Sequence, residues 1–174
     1  MKAKITTINL MLLVFLLGIS TTSYSQARRR ADTDTQQWRY EIEAEGVGVQ
    51  GTVQVKVWSY SKKAKVAIEQ AKKNAVHGVI FKGFTGKSGV PGQRPLTKNP
   101  NLENEQKDFF EDFFKDGGKY MKFVQAINDG NIAAGDIMKI GKEYKIGVIV
   151  SVNTAELRKD LENAGIIKSL GSGF

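Results

Sequence analysis

The sequence predicts an α+β domain, a two-layer sandwich in which a mainly antiparallel sheet carries its helices on one face. Three observations predict it. Tyr40, Ile42 and Ala44 alternate with Arg39, Glu41, Glu43 and Glu45, and Val53, Val55 and Val57 alternate with Gln54, Lys56 and Trp58. That is the period-two signature of two half-buried strands, joined here as a hairpin across Gly46, Gly48 and Gly51. Next, Ala64, Ala67, Ile68, Ala71 and Ala75 recur at three- and four-residue intervals, so small side chains line one face of a helix and let it lie close to a sheet. Finally, Glu143 to Val152 is dense in β-branched residues and runs into a second amphipathic helix. Strands joined as hairpins pair antiparallel, and segregated helices gather on one side.

The elements follow in order. After the hairpin, Ser61 is placed to cap a helix beginning near Lys62, with Lys63, Lys65, Glu69, Lys72 and Lys73 on its remaining surface. Val76, Val79 and Ile80 extend the stripe and favour a helix continuing past Gly78; the alternative is a stop at His77-Gly78 and a short strand from Val79 to Phe84. Gly83 to Asn101 holds all three prolines and reads as a long loop, a class of segment that is usually functional or disordered. Glu105 to Lys115 reads as a helix with Phe109, Phe110, Phe113 and Phe114 on its apolar side, ended by Gly117-Gly118. A third strand is expected over Tyr120 to Ile127, then a turn from Asn128 to Gly135, then the strand 143–152. Asn153 or Thr154 caps the closing helix, and Gly165 stops it.

The N-terminus reads as a cleavable signal peptide over residues 1–25. Lys2 and Lys4 precede an apolar run from Leu10 to Leu17, and Ser23 and Ser25 hold the small-residue positions before Gln26. The run is short for a membrane span, although an uncleaved anchor is the alternative. Residues 26–37 have no hydrophobic periodicity and read as a disordered leader carrying Arg28, Arg29 and Arg30. One domain over 38–170 follows. The chain has no cysteine, which removes disulfides and the lipobox acylation site, so stability must come from a core. Formal net charge is +8, and removing Lys2 and Lys4 leaves +6, a moderately basic exported protein. Nucleic acid is not an expected partner in that compartment, and no membrane span is expected after cleavage.

Chemistry-bearing motifs are sparse. Gly86-Lys87-Ser88 lacks the upstream glycine of a phosphate loop, because Phe81 stands at that position. Asp129-Gly130-Asn131 starts like a calcium loop, but Ala133 and Ile140 occupy ligand positions, so a turn is expected. His77 is the only histidine, and without cysteine a zinc site has few ligands to draw on. The acidic cluster Glu103, Glu105, Asp108, Glu111, Asp112 and Asp116 reads as a solvated helix face. The expectation is therefore no catalytic residue, no cofactor and no metal. Trp38, Tyr40, Trp58 and Tyr60 are the most suggestive aromatic signal. Trp58 and Tyr60 share parity on the second strand and, if the alternation holds, form an exposed stripe for a sugar or protein partner, the alternative being a second layer covered by the leader or tail. Candidate partner-binding residues are Trp58, Tyr60, Phe84, Arg94, Phe109 and Phe113.

The glycine-rich hairpin, Lys62 to Asn74 with its repeating alanines, Lys142 to Val152 and Leu157 to Gly165 resemble the N-terminal domain of flagellar assembly protein T and the related small-lipoprotein superfamily of bacterial envelopes. The resemblance implies a non-enzymatic envelope module that assembles with other proteins, and it carries no catalytic residue across. This chain departs from it in lacking the lipobox cysteine and in the proline-rich loop and phenylalanine-rich helix between the two halves. The functional expectation is an exported periplasmic or surface-associated binding module that docks onto another envelope protein. The alternatives are a small glycan or ligand binder, and a hydrolase of envelope polymers using His77 with Glu69 or Glu111.

Overall fold

The computed structural model describes residues 26, 27, 29–31, 33, 38–127 and 131–169. The expected signal peptide, the Asp129-Gly130 step of the expected turn and the end of the tail lie outside the described residues. Strands β1 (Tyr40–Val47), β2 (Thr52–Ser61), β3 (Val124–Ala126), β4 (Ile137–Ile140) and β5 (Glu143–Asn153) form one antiparallel sheet. β2 pairs β1 on one side and β5 on the other, and the far side of β5 takes β3 at Val150–Val152 and β4 at Glu143–Ile146. The sheet is open, and the domain is α+β as the pattern predicts.

Alternation divides the sheet cleanly. Tyr40, Ala44, Val55, Val57, Ile146, Val148, Val150 and Val152 are buried on the inner face. Helix α1 (Ala64–His77) lies over it, with Ala67, Ala71 and Ala75 fully buried where its axis approaches the sheet. The helix starts at Ala64 with Lys63 as its N-cap and no side-chain cap bond; Ser61, expected as the cap, lies ahead of it and its Oγ accepts the Lys63 N–H at 3.2 Å. The continuation past Gly78 occurs as a wide turn, Gly78–Lys82, in which the Gly83 N–H reaches back to the Gly78 carbonyl at 2.7 Å. Glu69, Gln70, Lys73 and Asn74, read from sequence as solvent-facing or unassigned, are buried. Asn74 faces the sheet, where its amide donates to Ser59 Oγ at 3.0 Å, and the Lys73 ammonium sits 5.9 Å from the Tyr120 ring.

The phenylalanine-rich segment begins earlier than expected. It is two pieces, α2 (Leu102–Glu105) and α3 (Lys107–Phe114), broken at Gln106. Phe110, Phe113 and Phe114 are all core residues. The strand expected over 120–127 is largely a 3₁₀ turn, Lys119–Phe123, and only 124–126 is extended. Its buried side chains, Tyr120 and Phe123, stand three apart, the spacing that eclipses in a 3₁₀ helix, not the spacing of two that a strand needs. Strand β4 was absent from the sequence reading. A closing helix α4 (Thr154–Asn163) starts where Asn153 Oδ1 accepts the Glu156 N–H at 3.0 Å, and Leu157 and Leu161 anchor it.

The described residues of the expected leader are helical, not irregular. Gln26, Ala27, Arg29 to Ala31 and Thr33 take helical backbone, and Ala27 and Ala31, four residues apart, are buried. No helix among the described residues is long and apolar enough to cross a membrane.

Candidate functional site

The two edges of the sheet are treated differently. The loop after Gly83 is a small hairpin: Phe84 and Gln93 exchange backbone bonds at 2.9 and 3.0 Å, and Lys87 and Val90 exchange them at 3.0 and 2.9 Å. Its first strand lies along β1, where the Ala44 N–H donates to the Thr85 carbonyl at 2.9 Å. The loop thereby covers the middle of the β1 edge at this one bridge, and Val47 at its end stays exposed. Further on, the Leu96 and Thr97 amides donate to Val79 and Ile80 at 3.0 and 3.1 Å, which ties the loop to the wide turn after α1. The long loop is thus an edge cover.

β4 has no such cover among the described residues. All four of its residues are exposed, it pairs only β5, and Ile137, Met138 and Ile140 join Tyr144 as large apolar side chains on the surface. Register places Met138 opposite Lys145 and Ile140 opposite Glu143 on the outer side of the sheet, and Ile137 opposite Ile146 on the inner side. A bare row of strand amides and carbonyls flanked by apolar side chains is a template for pairing with another chain.

The outer face adjoining β4 carries the aromatic stripe: the alternation holds, and Trp58 and Tyr60 point outward but are half-buried. Trp58 stands opposite Gly147, and a Cβ on Gly147 would meet three atoms of the Trp58 six-membered ring at 2.9, 3.1 and 3.1 Å. Three nearly equal distances mean that the ring lies flat on the glycine. Its indole N–H donates to Glu43 Oε1 at 3.2 Å, and the Lys145 and Lys56 ammoniums sit 5.3 and 5.8 Å from the ring. Tyr60 donates to Glu41 at 3.2 Å beneath the Arg39 guanidinium, 4.0 Å from its ring. Ion pairs frame the stripe: Lys145–Glu41 at 2.7 Å, Lys87–Glu43 at 2.7 Å, Arg39–Glu143 at 2.9 Å and Lys56–Asp136 at 3.1 Å. Burial opposes charge on Glu43, but its bonds from Lys87 and Trp58 hold the carboxyl below its ordinary range.

The other predicted contact residues scatter. Arg94 is exposed on the loop, while Phe84 and Phe109 are half-buried and pack against the core. Phe113 is 2% exposed, stacked with Phe109 and Phe123, and is unable to reach a partner. The helix edge expected as a contact surface is instead core, because four phenylalanines on so short a helix cover more than one side and both α1 and the 119–123 turn pack against them.

The single histidine sits in a closed network. Trp38, held in left-handed backbone at φ +46°, folds back so that its ring stacks on His77 with centroids 3.6 Å apart. The Tyr40 hydroxyl lies 2.6 Å from His77 Nδ1, and His77 Nε2 lies 3.1 Å from Glu103 Oε2. Trp38 Nε1 donates to the other Glu103 oxygen at 2.7 Å. Burial lowers the His77 pKa against the pull of Glu103, so the ring is neutral: Tyr40 donates to Nδ1, and Nε2–H donates to the carboxylate. Glu103 loses solvation there, yet bonds from His77 and Trp38 keep its pKa below normal. Tyr40 is pushed up by burial and by the Glu103 charge. Glu69 and Glu111, considered from sequence as acids for His77, are bonded to Lys72 at 3.1 Å and Lys107 at 3.6 Å instead. Sequence reading missed Glu103 and Trp38 because neither is near His77 in the chain.

No family model, no curated protein and no solved structure matches the chain.

Proposed function

We propose that the chain is an exported, non-catalytic binding module that docks onto another protein of the cell envelope by adding that partner's strand to β4. The observation that carries the reading is the contrast between the sheet's edges. The loop hairpin covers the middle of β1 through the Ala44–Thr85 bond, whereas β4 has no such contact among the described residues and exposes Ile137, Met138 and Ile140 along its length. Natural sheets blunt exposed apolar edges, so an edge strand left uncovered and apolar suggests an interface. The partner presents an extended segment with apolar side chains facing Met138 and Ile140.

The closed state of the His77 network supports a non-catalytic reading. His77 is 3% exposed and Trp38 stacks on one ring face, so the imidazole is closed off from a substrate. The double variant Met138→Lys/Ile140→Lys tests the docking reading. It is expected to lose the native envelope complex on size analysis while its melting temperature stays within about 3 °C of the parent. An unchanged complex would remove β4 from the interface.

A second reading is favoured by Trp58. An indole lying flat on Gly147, rimmed by hydrogen-bonding charged groups, is a platform on which a sugar ring of an envelope glycan stacks. Quenching or enhancement of Trp58 fluorescence by a glycan panel, lost in Trp58→Ala, distinguishes it from strand docking.

A further inference from the structure

A cavity of about 680 Å³ is lined by no residue of β4 or of the Trp58 stripe. It opens between the second half of the 83–101 loop, the start of α2, helix α4 and the segment after Gly165. Its apolar lining is Leu96, Leu102, Ile166 and Ile167, four side chains that also pack on the core. Its charged lining is Lys98, Arg158 and Lys168, and no carboxylate of the described residues belongs to it. The two acids bonded to its lining are both occupied, Glu162 by Arg158 at 3.4 Å and Glu105 by Asn99 at 2.7 Å.

We infer that this cavity binds a single-chain amphiphile with an anionic head. Volume and charge together lead there. The space falls in the range of small-molecule sites, roughly 300–1,000 Å³, and is far larger than an inorganic anion needs. Leu96, Leu102, Ile166 and Ile167 offer an acyl chain a surface whose burial drives binding. Lys98 and Lys168, two cations of the lining without an acid partner among the described residues, select a carboxylate or phosphate head over a neutral or positive one, while Arg158 is already bonded to Glu162. Lys98 and Lys168 take part in no ion pair among the described residues, so the head displaces no internal partner. Free fatty acids and monoacyl phospholipids share this chemistry. The site is independent of β4 docking.

The purified protein, labelled at leucine and isoleucine methyl groups, is titrated with sodium dodecanoate below its micelle concentration. Saturable shifts confined to Leu96, Leu102, Ile166 and Ile167 are expected. Dodecyl maltoside, with the same chain and a neutral head, is expected to bind at least about tenfold more weakly. Monododecanoyl phosphatidylglycerol in parallel tells a phosphate-headed source from a carboxylate. Lys98→Glu/Lys168→Glu, two exposed positions, is expected to weaken dodecanoate by at least about tenfold without altering the spectrum elsewhere. Absent saturation, equal binding of the maltoside, or undiminished binding by the double variant would overturn the assignment.

Discussion

His77 Nε2 and Glu103 Oε2 lie 3.1 Å apart, and this bond joins the end of α1 to the start of the phenylalanine-rich segment 26 residues later. It also sets the pH dependence of stability. Burial holds His77 below its ordinary 6.5, so the unfolded chain takes up a proton that the native ring refuses. Stability is therefore full above about pH 6.5 and falls as the pH drops from there toward the native value. Glu103, held below its ordinary 4.5, adds a second loss as the pH falls below that value, since its native bonds need the carboxylate. Urea midpoints are expected to drop between about pH 7.5 and about pH 5.5, and the drop should vanish in His77→Gln.

Tyr40→Phe keeps the ring and removes the hydroxyl 2.6 Å from His77 Nδ1. It leaves a buried acceptor without its donor, at a cost of about 1–3 kcal/mol. Chemical denaturation measures the loss. A change within about 0.3 kcal/mol would mean that the hydroxyl bond is not held in solution.

Gly147→Ala places a methyl group 2.9 Å from the Trp58 ring. The indole must lift from the sheet, costing about 1–3 kcal/mol and exposing the ring to water. The chain has two tryptophans, so a red shift in Trp38→Phe/Gly147→Ala relative to Trp38→Phe reports on Trp58 alone.

Gly83 has φ +68° and ψ −169°, a conformation open only to glycine, and a Cβ there would collide with the Gln93 carbonyl oxygen. Gly83→Ala is expected to destabilise the domain by about 1–3 kcal/mol. Hydrogen exchange at the Ala44 amide should accelerate, because Gly83 sets the course of the hairpin that covers β1. Unchanged protection at Ala44 would detach the cover from Gly83.

Much of this architecture is legible in the sequence because it rests on local periodicity. Alternation places Tyr40, Val55, Val57 and Val148 inward and Trp58 and Tyr60 outward, and the structure agrees. Asn153 and Gly165 mark the limits of α4 by local capping chemistry. What escaped was set by tertiary contact. Phe113 is buried because α3 is covered on more than one side, which a helical stripe does not reveal. Ile137 to Ile140 carries no clean alternation of burial, being exposed throughout, and becomes a strand only through pairing with β5. Trp38 and Tyr40 at the start of β1, His77 at the end of α1 and Glu103 in α2 come from three separate segments, so their network has no motif.

Strand addition at β4 is tested most directly by site-specific photo-crosslinking in intact cells. A crosslinking residue is placed in turn at Met138, at Ile140 and at Glu111, which is exposed on α3 well away from the edge. Met138 and Ile140 are expected to give one and the same envelope-protein adduct, and Glu111 none. Equal labelling at all three positions, or none at Met138 and Ile140, would contradict strand addition.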